Sequence, residues 1–258
     1  MPKELLPLFD RPVIHYLVEE LVAVGISEVV IVARPGTEAV LRSYFSRDPE
    51  WDRYLAERDH AHLLQPLHDL LEQIRFSFVQ QLPDQAYGSG APVLVVRDRL
   101  NAPFVYLYGD DVILERRCGE SLRTLLAIYE RQKPAAVVGA CQVPHERISA
   151  VGSIAYRPGT DCEVAYILEK PKPEQAPSQF TPIGRQVLSP AIIQVLEEQQ
   201  TGLQRGQELQ MTGALSTLAR SERVLAPQIL GQWVTTGDAS SLLEASQAAS
   251  RMRLDQTA

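Results

Sequence analysis

The sequence predicts an α/β fold with a mixed, mostly parallel central sheet flanked by helices. Two observations carry this. Short continuous apolar runs, such as EVVIVA (Glu28–Ala33) and FVYLY (104–108), are too short for buried helices and read as strands covered on both faces. Between such runs lie segments with apolar residues at helical spacing, and strands alternating with helices build a largely parallel sheet. The 258 residues are 45% hydrophobic, enough to bury a sizeable core. Neither an internal repeat nor a low-complexity linker divides them, so a single domain over 1–258 is expected.

In order, MPKELLPLFD reads as a loop punctuated by Pro2 and Pro7. Asp10 suits a helix N-cap, with Pro12 near the first helical position. Ile14, Leu17, Val18, Leu21 and Val22 form one apolar helical stripe, which Gly25 ends. After the strand at 28–33 comes a helical insertion over about 37–74, broken near Asp48 and near His60. Its histidines, His60, His62 and His68, lack a thiol or carboxylate at ligand spacing, so a solvated surface is the better reading. RFSFVQ (75–80) is strand-like, and YGSGAP is a turn before a helix-like run at 93–99. The strand at 104–108 ends in Gly109, Asp110 and Asp111. A helix near 121–132, a strand at 135–141 and a turn-rich segment as far as Gly152 follow. The strand at 163–169 runs into Lys170 and Pro171, and TPIGRQVL reads as another strand. Helices at 189–199 and 211–220, short strands near Val224 and Val234, and a last helix from Asp238 complete the chain.

A net charge of −7 argues against a general nucleic-acid binder, although a local basic pocket for phosphates is compatible with it. Cys118, Cys141 and Cys162 stand far apart without metal spacing, and an odd count is a poor disulfide framework. They read as free thiols of a reducing compartment. No apolar run approaches the ~20 residues of a membrane helix, and the start lacks a charged-then-apolar signal pattern. A soluble, cytoplasmic protein is expected, with homo-oligomer formation left open.

Ligands of open α/β sheets sit at the carboxyl ends of strands. Asp110 and Asp111 follow one strand, Lys170 a second, and Asp238 of TTGD a third. If those strands are neighbours, the carboxylates suit a Mg²⁺ ion, which takes one or two carboxylates plus phosphate oxygens. A lysine at the rim suits a phosphate. The competing reading makes Gly-Asp-Asp and Gly-Asp plain turns, with Asp238 an N-cap.

MPKELLPLFDRPVIHYLVEELVAVGISEVVIV resembles the segment after the Gly-rich loop of the bacterial UTP–glucose-1-phosphate uridylyltransferases, a family of sugar-1-phosphate nucleotidyltransferases. There a Pro-Lys-Glu-Met-Leu-Pro run precedes a helix and a strand. The likeness continues through YGSGAPV, YGDDVI, LEKPKPEQAPSQFTPIGRQVLSP, GQELQMTGAL and TTGDASSLLEA, nearly the whole chain. It implies a Rossmann-like nucleotidyltransferase fold. It also implies attack of a sugar 1-phosphate oxygen on the α-phosphorus of UTP, with Mg²⁺, giving UDP-glucose and pyrophosphate. By this resemblance Lys3 reaches the nucleotide phosphates. Gln81 and Gly88 read the uracil edge, Gln81 at a longer spacing than in the family. Asp110 and Asp238 hold the metal. Gly152, Glu169 and Lys170 take the sugar phosphate, with Lys170 and Asp110 as the catalytic pair.

Three departures accompany the likeness. Gly213 stands where the family has an aspartate after Thr212. Val-Thr-Thr replaces Tyr-Asp-Cys before the last Gly-Asp. The family opens with a strand and a Gly-x-Gly-Thr-Arg loop that grips the triphosphate, and nothing before Met1 supplies them. The resemblance therefore implies an N-terminally truncated chain, whose activity as it stands is left open. Two alternatives stay open: a nucleotidyltransferase for another NTP or sugar phosphate, and a catalytically inactive nucleotide-binding or regulatory member. A dinucleotide oxidoreductase is disfavoured, because no Gly-x-Gly-x-x-Gly follows a strand.

Overall fold

A computed structural model describes residues 2–82, 86–204 and 206–257, with side chains of the last helix described as far as Met252. After a 3₁₀ turn, Lys3–Leu5, the strands β1 (Pro7–Leu8) and β2 (Arg11–Pro12) form a small antiparallel hairpin. Asp10 lies in its turn and accepts the Tyr16 hydroxyl at 2.5 Å, so it does not cap the helix. Pro12 takes the N-cap position of α1 (Val13–Ala23) with no side-chain cap. Gly25, at φ +84°, closes that helix, since a left-handed residue there is cheap only for glycine.

β3 (Glu28–Ala33) pairs in parallel with β4 (Arg75–Gln80). Between them lie the expected helices, α2 (Glu38–Tyr44), α3 (Pro49–Ala56) and α4 (Gln65–Gln73). Asp48 starts α3 by accepting from the backbone of Glu50 and Trp51, the standard solution for unpaired N–H groups of a first turn. The helix-like run after YGSGAP is α5 (Ala91–Val95) and a 3₁₀ turn.

The largest sheet contains β5 (Phe104–Leu107), β7 (Ala136–Gln142), β10 (Phe180–Leu188) and β11 (Val224–Leu225), in the order β11-β7-β10-β5. β10 is antiparallel to both of its neighbours, and β11 runs parallel to β7. β6 (Asp111–Leu114) pairs antiparallel with β12 (Gln232–Thr235), and β8 (Gly152–Tyr156) with β9 (Val164–Glu169). The mixed α/β architecture is as expected, but antiparallel ladders outnumber parallel ones among the described strands. The excess arises where the chain returns without a helical crossover, as between β8 and β9. β8 itself begins at Gly152, where the segment read as turns ends, and the sequence reading did not include it.

α6 (Glu120–Gln132) packs on β7. α7 (Ala191–Gly202) and α8 (Met211–Leu218) cover the other side of the large sheet, and their Ile192, Leu196 and Leu215 are fully buried with Val138 and Leu188. A second core joins α1, β3 and α4. α9 (Ala239–Thr257) closes a third core against α1 and β6. Among the described residues no helix is long and apolar enough to cross a membrane.

Candidate active site

The β5–β6 connection, Tyr108 to Asp111, organises the site. Asp111 starts β6 and is buried. Its Oδ2 accepts the Gly184 N–H at 2.8 Å, and burial pushes its carboxyl up to about 6. A Cβ at Gly184 would fall 2.5 Å from Cβ of Tyr108, so glycine there lets the connection pack against β10. Arg185, fully buried, fastens the same corner. Its guanidinium meets both oxygens of Glu20 on α1 at 2.9–3.0 Å, the Gly184 carbonyl at 2.9 Å and the Asp111 carbonyl at 3.0 Å. Burial raises the Glu20 carboxyl while Arg185 pulls it down.

Asp110 stands at the free end of this corner. Its carbonyl accepts the Thr236 N–H at 2.8 Å, which ties it to the end of β12. Its carboxylate accepts Lys3 Nζ at 2.5 Å. A Cβ at Gly237 would lie 3.7 Å from Asp110 Oδ2, so Asp238 follows directly beside the Asp110 carboxylate. Asp238 also caps α9, accepting the backbone N–H and the hydroxyl of Ser241 at 2.9 and 2.6 Å. These bonds hold its carboxyl below the usual range. The cap reading of TTGD is therefore visible in the structure. Among the described residues no group of three or more His, Cys, Asp or Glu could hold a metal unaided.

A second polar cluster lies at the end of β9. Gly152 pairs with Glu169 across β8 and β9, and a Cβ at Gly152 would come 3.4 Å from Glu169 Oε2. The Thr212 hydroxyl donates to that same oxygen at 2.8 Å. Lys170 comes next, exposed, with φ +43°, a conformation rare for a side-chain-bearing residue and often found at functional sites. The Tyr108 hydroxyl is pushed up to about 12 by burial, with smaller contributions from Asp111 and Glu169.

The YGSGAP loop forms a third wall. Gly88 has φ +108°, and a Cβ there would meet the Leu209 carbonyl at 2.7 Å. Leu209 N–H donates to Tyr87 O, and Gly90 N–H to Leu209 O. Ser89 is held by the Tyr106 hydroxyl at 2.6 Å and by Met211 N–H at 3.0 Å. Gln81 turns its amide onto Ala86 O at 2.5 Å, toward its own loop. Lys3, Gly88 and Asp110 line one cavity of about 1150 Å³.

Asp110, Lys3 and Asp238 thus gather at one end, and Gly152, Glu169 and Lys170 at another. Sequence reasoning missed Thr212, Tyr108 and the Arg185–Glu20 pair. An arginine inside an otherwise apolar strand run was the one signal available for the last, because a buried charge needs a partner.

The fold and this arrangement define a nucleotide-transfer protein: the nucleotidyl transferase family model matches residues 1–251, and the chain belongs to that family. It is 33% identical over 252 residues to the UTP–glucose-1-phosphate uridylyltransferase of Streptococcus pneumoniae serotype 4, covering 95% of this chain and 82% of that one. It is 33% identical over 241 residues to the enzyme of the same name from Bacillus subtilis strain 168, covering 92% and 80%. A solved UDP-glucose pyrophosphorylase in complex with UDP-glucose superposes with a TM-score of 0.85 at 29% identity, over 97% of this chain and 91% of that one.

Proposed function

We propose that the chain is a uridylyltransferase that uses UTP and glucose 1-phosphate to form UDP-glucose and pyrophosphate, as one nucleotidyltransferase domain in the cytoplasm. The observation that carries this reading is a pair of polar clusters, one anionic with a lysine, the other a carboxylate held by Thr212 beside a strained lysine. The uridylyltransferase relatives and the neighbour that holds UDP-glucose support the choice of nucleotide and sugar. Three free thiols support the reducing compartment.

Gly88 and Gln81 would meet the uracil edge, and Lys3 the nucleotide phosphates. Glu169 and Gly152 would accept the glucose, with the carboxylate receiving sugar hydroxyls, and Lys170 would hold the sugar's phosphate. Transfer by direct attack then rests on positioning and charge neutralisation. Lys170 screens the approach of two anions, which is costly in a poorly hydrated cleft. Asp110 and Asp238 fit a Mg²⁺ ion. Asp110 already binds a cationic group, and Asp238 has lone pairs beyond the two that Ser241 occupies. When bound there, Mg²⁺ would neutralise charge on the phosphates and draw its remaining ligands from them.

The test has two parts, UTP binding by calorimetry and pyrophosphate release with glucose 1-phosphate. UTP should bind at least tenfold more tightly than CTP, GTP or ATP, and Lys3→Ala should weaken it. Equal affinity for all four nucleotides would sink the reading. Selective binding without pyrophosphate release would identify an inactive nucleotide-binding member instead.

A further inference from the structure

The first turn of α8 is capped from elsewhere in the chain. Gln210 precedes it in an extended conformation and makes no side-chain cap bond. Met211, the first helical residue, is fully buried, and the N–H groups of a first turn have no partner within their own helix. A buried N–H is seldom left unmatched. Here Met211 N–H donates to Ser89 Oγ at 3.0 Å, across 122 positions of sequence. Ser89 lies between Gly88 and Gly90 in the YGSGAP loop. Its carbonyl is fixed to β5 by the Tyr106 hydroxyl at 2.6 Å, so its own hydroxyl has a fixed origin. The backbones alongside are laced together too. Leu209 N–H donates to Tyr87 O at 2.8 Å, and Gly90 N–H to Leu209 O at 2.7 Å.

The same helix grips β9. Thr212, the residue after Met211, donates to Glu169 Oε2 at 2.8 Å. Ser216, one turn further on, accepts the Ile167 N–H at 3.1 Å. Residues four apart share one face of a helix. Four helical residues rise about 6 Å, and two strand residues span about 6.6 Å. The two bonds therefore match in spacing and lay α8 along β9. One end of α8 is set by the loop assigned to the base, and its side holds the strand that carries the carboxylate assigned to the sugar. With Oε2 anchored by Thr212, the other oxygen of Glu169 is oriented to receive sugar hydroxyls.

We propose that Ser89 is a positioning residue for the sugar: by accepting the Met211 N–H it sets the first turn of α8, and so keeps the Thr212 hydroxyl on the Glu169 carboxylate. The proposal rests on the reading that Glu169 meets the glucose and the YGSGAP loop the uracil. Ser89 acts through Thr212. Without its hydroxyl, the Met211 N–H loses its acceptor and the first turn of α8 loosens. Thr212 is then held on Glu169 less firmly, and the carboxylate regains rotamer freedom that glucose binding must remove.

Calorimetry with UDP and with UDP-glucose separates the two parts of the site, because only UDP-glucose presents a sugar, and neither measurement needs turnover. Ser89→Ala should weaken UDP-glucose binding about fivefold, the effect of one hydrogen bond, with UDP affinity within about twofold of the unaltered protein. Thr212→Val should do the same. The double variant should bind UDP-glucose no more weakly than either single variant, since both act on one contact. Independent effects would multiply to about 25-fold. Residue-resolved amide exchange should show the Met211 N–H exchanging roughly tenfold faster in Ser89→Ala, with Leu209 little changed. Multiplying effects, equal losses for UDP and UDP-glucose, an unchanged UDP-glucose affinity, or an unchanged Met211 amide would each overturn the proposal alone. An unaltered protein that bound no UDP-glucose would overturn the uridylyltransferase reading and the proposal with it.

Discussion

Replacing Arg185 by methionine isolates the device that fixes the Asp110–Asp111 corner. The guanidinium is fully buried and makes four hydrogen bonds, two of them to Glu20, itself 4% exposed. Methionine fills similar space, so the loss is mainly electrostatic. It strands a buried carboxylate and takes one donor each from the carbonyls of Gly184 and Asp111. Removing one partner of a buried pair costs about 3–5 kcal/mol. With a slope near 3 kcal/mol per molar urea, the midpoint should fall by roughly 1–1.7 M. The pH dependence has a definite sign. Burial already raises the Glu20 carboxyl, and Arg185 opposes this. Without Arg185 the folded-state value rises further above the unfolded one. Such a group adds stability below its unfolded value and loses it as pH rises through the folded value. The deficit of Arg185→Met should therefore be full at pH 8 and shrink toward pH 5. A Glu20→Met, Arg185→Met double variant should recover most of it, because an apolar pair replaces a buried ion pair at little cost. Urea unfolding at pH 5 and pH 8 decides the matter. A loss under about 1 kcal/mol, a deficit independent of pH, or a double variant no better than the single would refute the reasoning.

Asp110→Asn should keep the fold and cut pyrophosphate release roughly a hundredfold or more, with altered Mg²⁺ dependence, if Asp110 is a metal ligand. Thr212→Val removes the 2.8 Å bond to Glu169. The expected result is a KM for glucose 1-phosphate raised about fivefold, the effect of about 1 kcal/mol, with UTP affinity unchanged by calorimetry. Gly88→Ala places a Cβ 2.7 Å from a backbone carbonyl at φ +108°. Thermal unfolding should report a loss of about 1–3 kcal/mol, and UTP affinity should fall more than sugar-phosphate affinity. Gly213→Asp should leave KM for glucose 1-phosphate within twofold of the parent value in steady-state kinetics.

Much of the fold was legible because its signals are local. The α1 stripe, the breaks at Asp48 and near His60 and the Gly25 stop each rest on side-chain spacing or backbone conformation within a few residues. Strand direction is not local. EVVIVA reads as interior whichever way its neighbours run, and β10 became antiparallel to β5 and β7 through pairings over large sequence separations. β8 was missed because GSIAY is short and begins with glycine, a residue that weakens a strand signal. It forms only because β9 lies against it.

The site was legible as residues and not as contacts. Lys3 and Asp110 are 107 positions apart, and their ion pair follows from the fold alone. The Asp238 alternatives could not be separated in the sequence because Gly-Asp before a helix serves a cap and a ligand equally well. The structure shows the cap, with the neighbouring Gly237 beside the Asp110 carboxylate. Gly213 is the reverse case, a departure from the family pattern noted in the sequence. Consecutive helical residues lie about 100° apart around the axis, and here that angle separates two faces. Thr212 turns to Glu169. A Cβ at Gly213 would meet the Gln199 amide of α7 at 3.7 Å, with nothing closer. The position therefore addresses the α7–α8 packing, while the Glu169 carboxylate keeps its threonine partner without it.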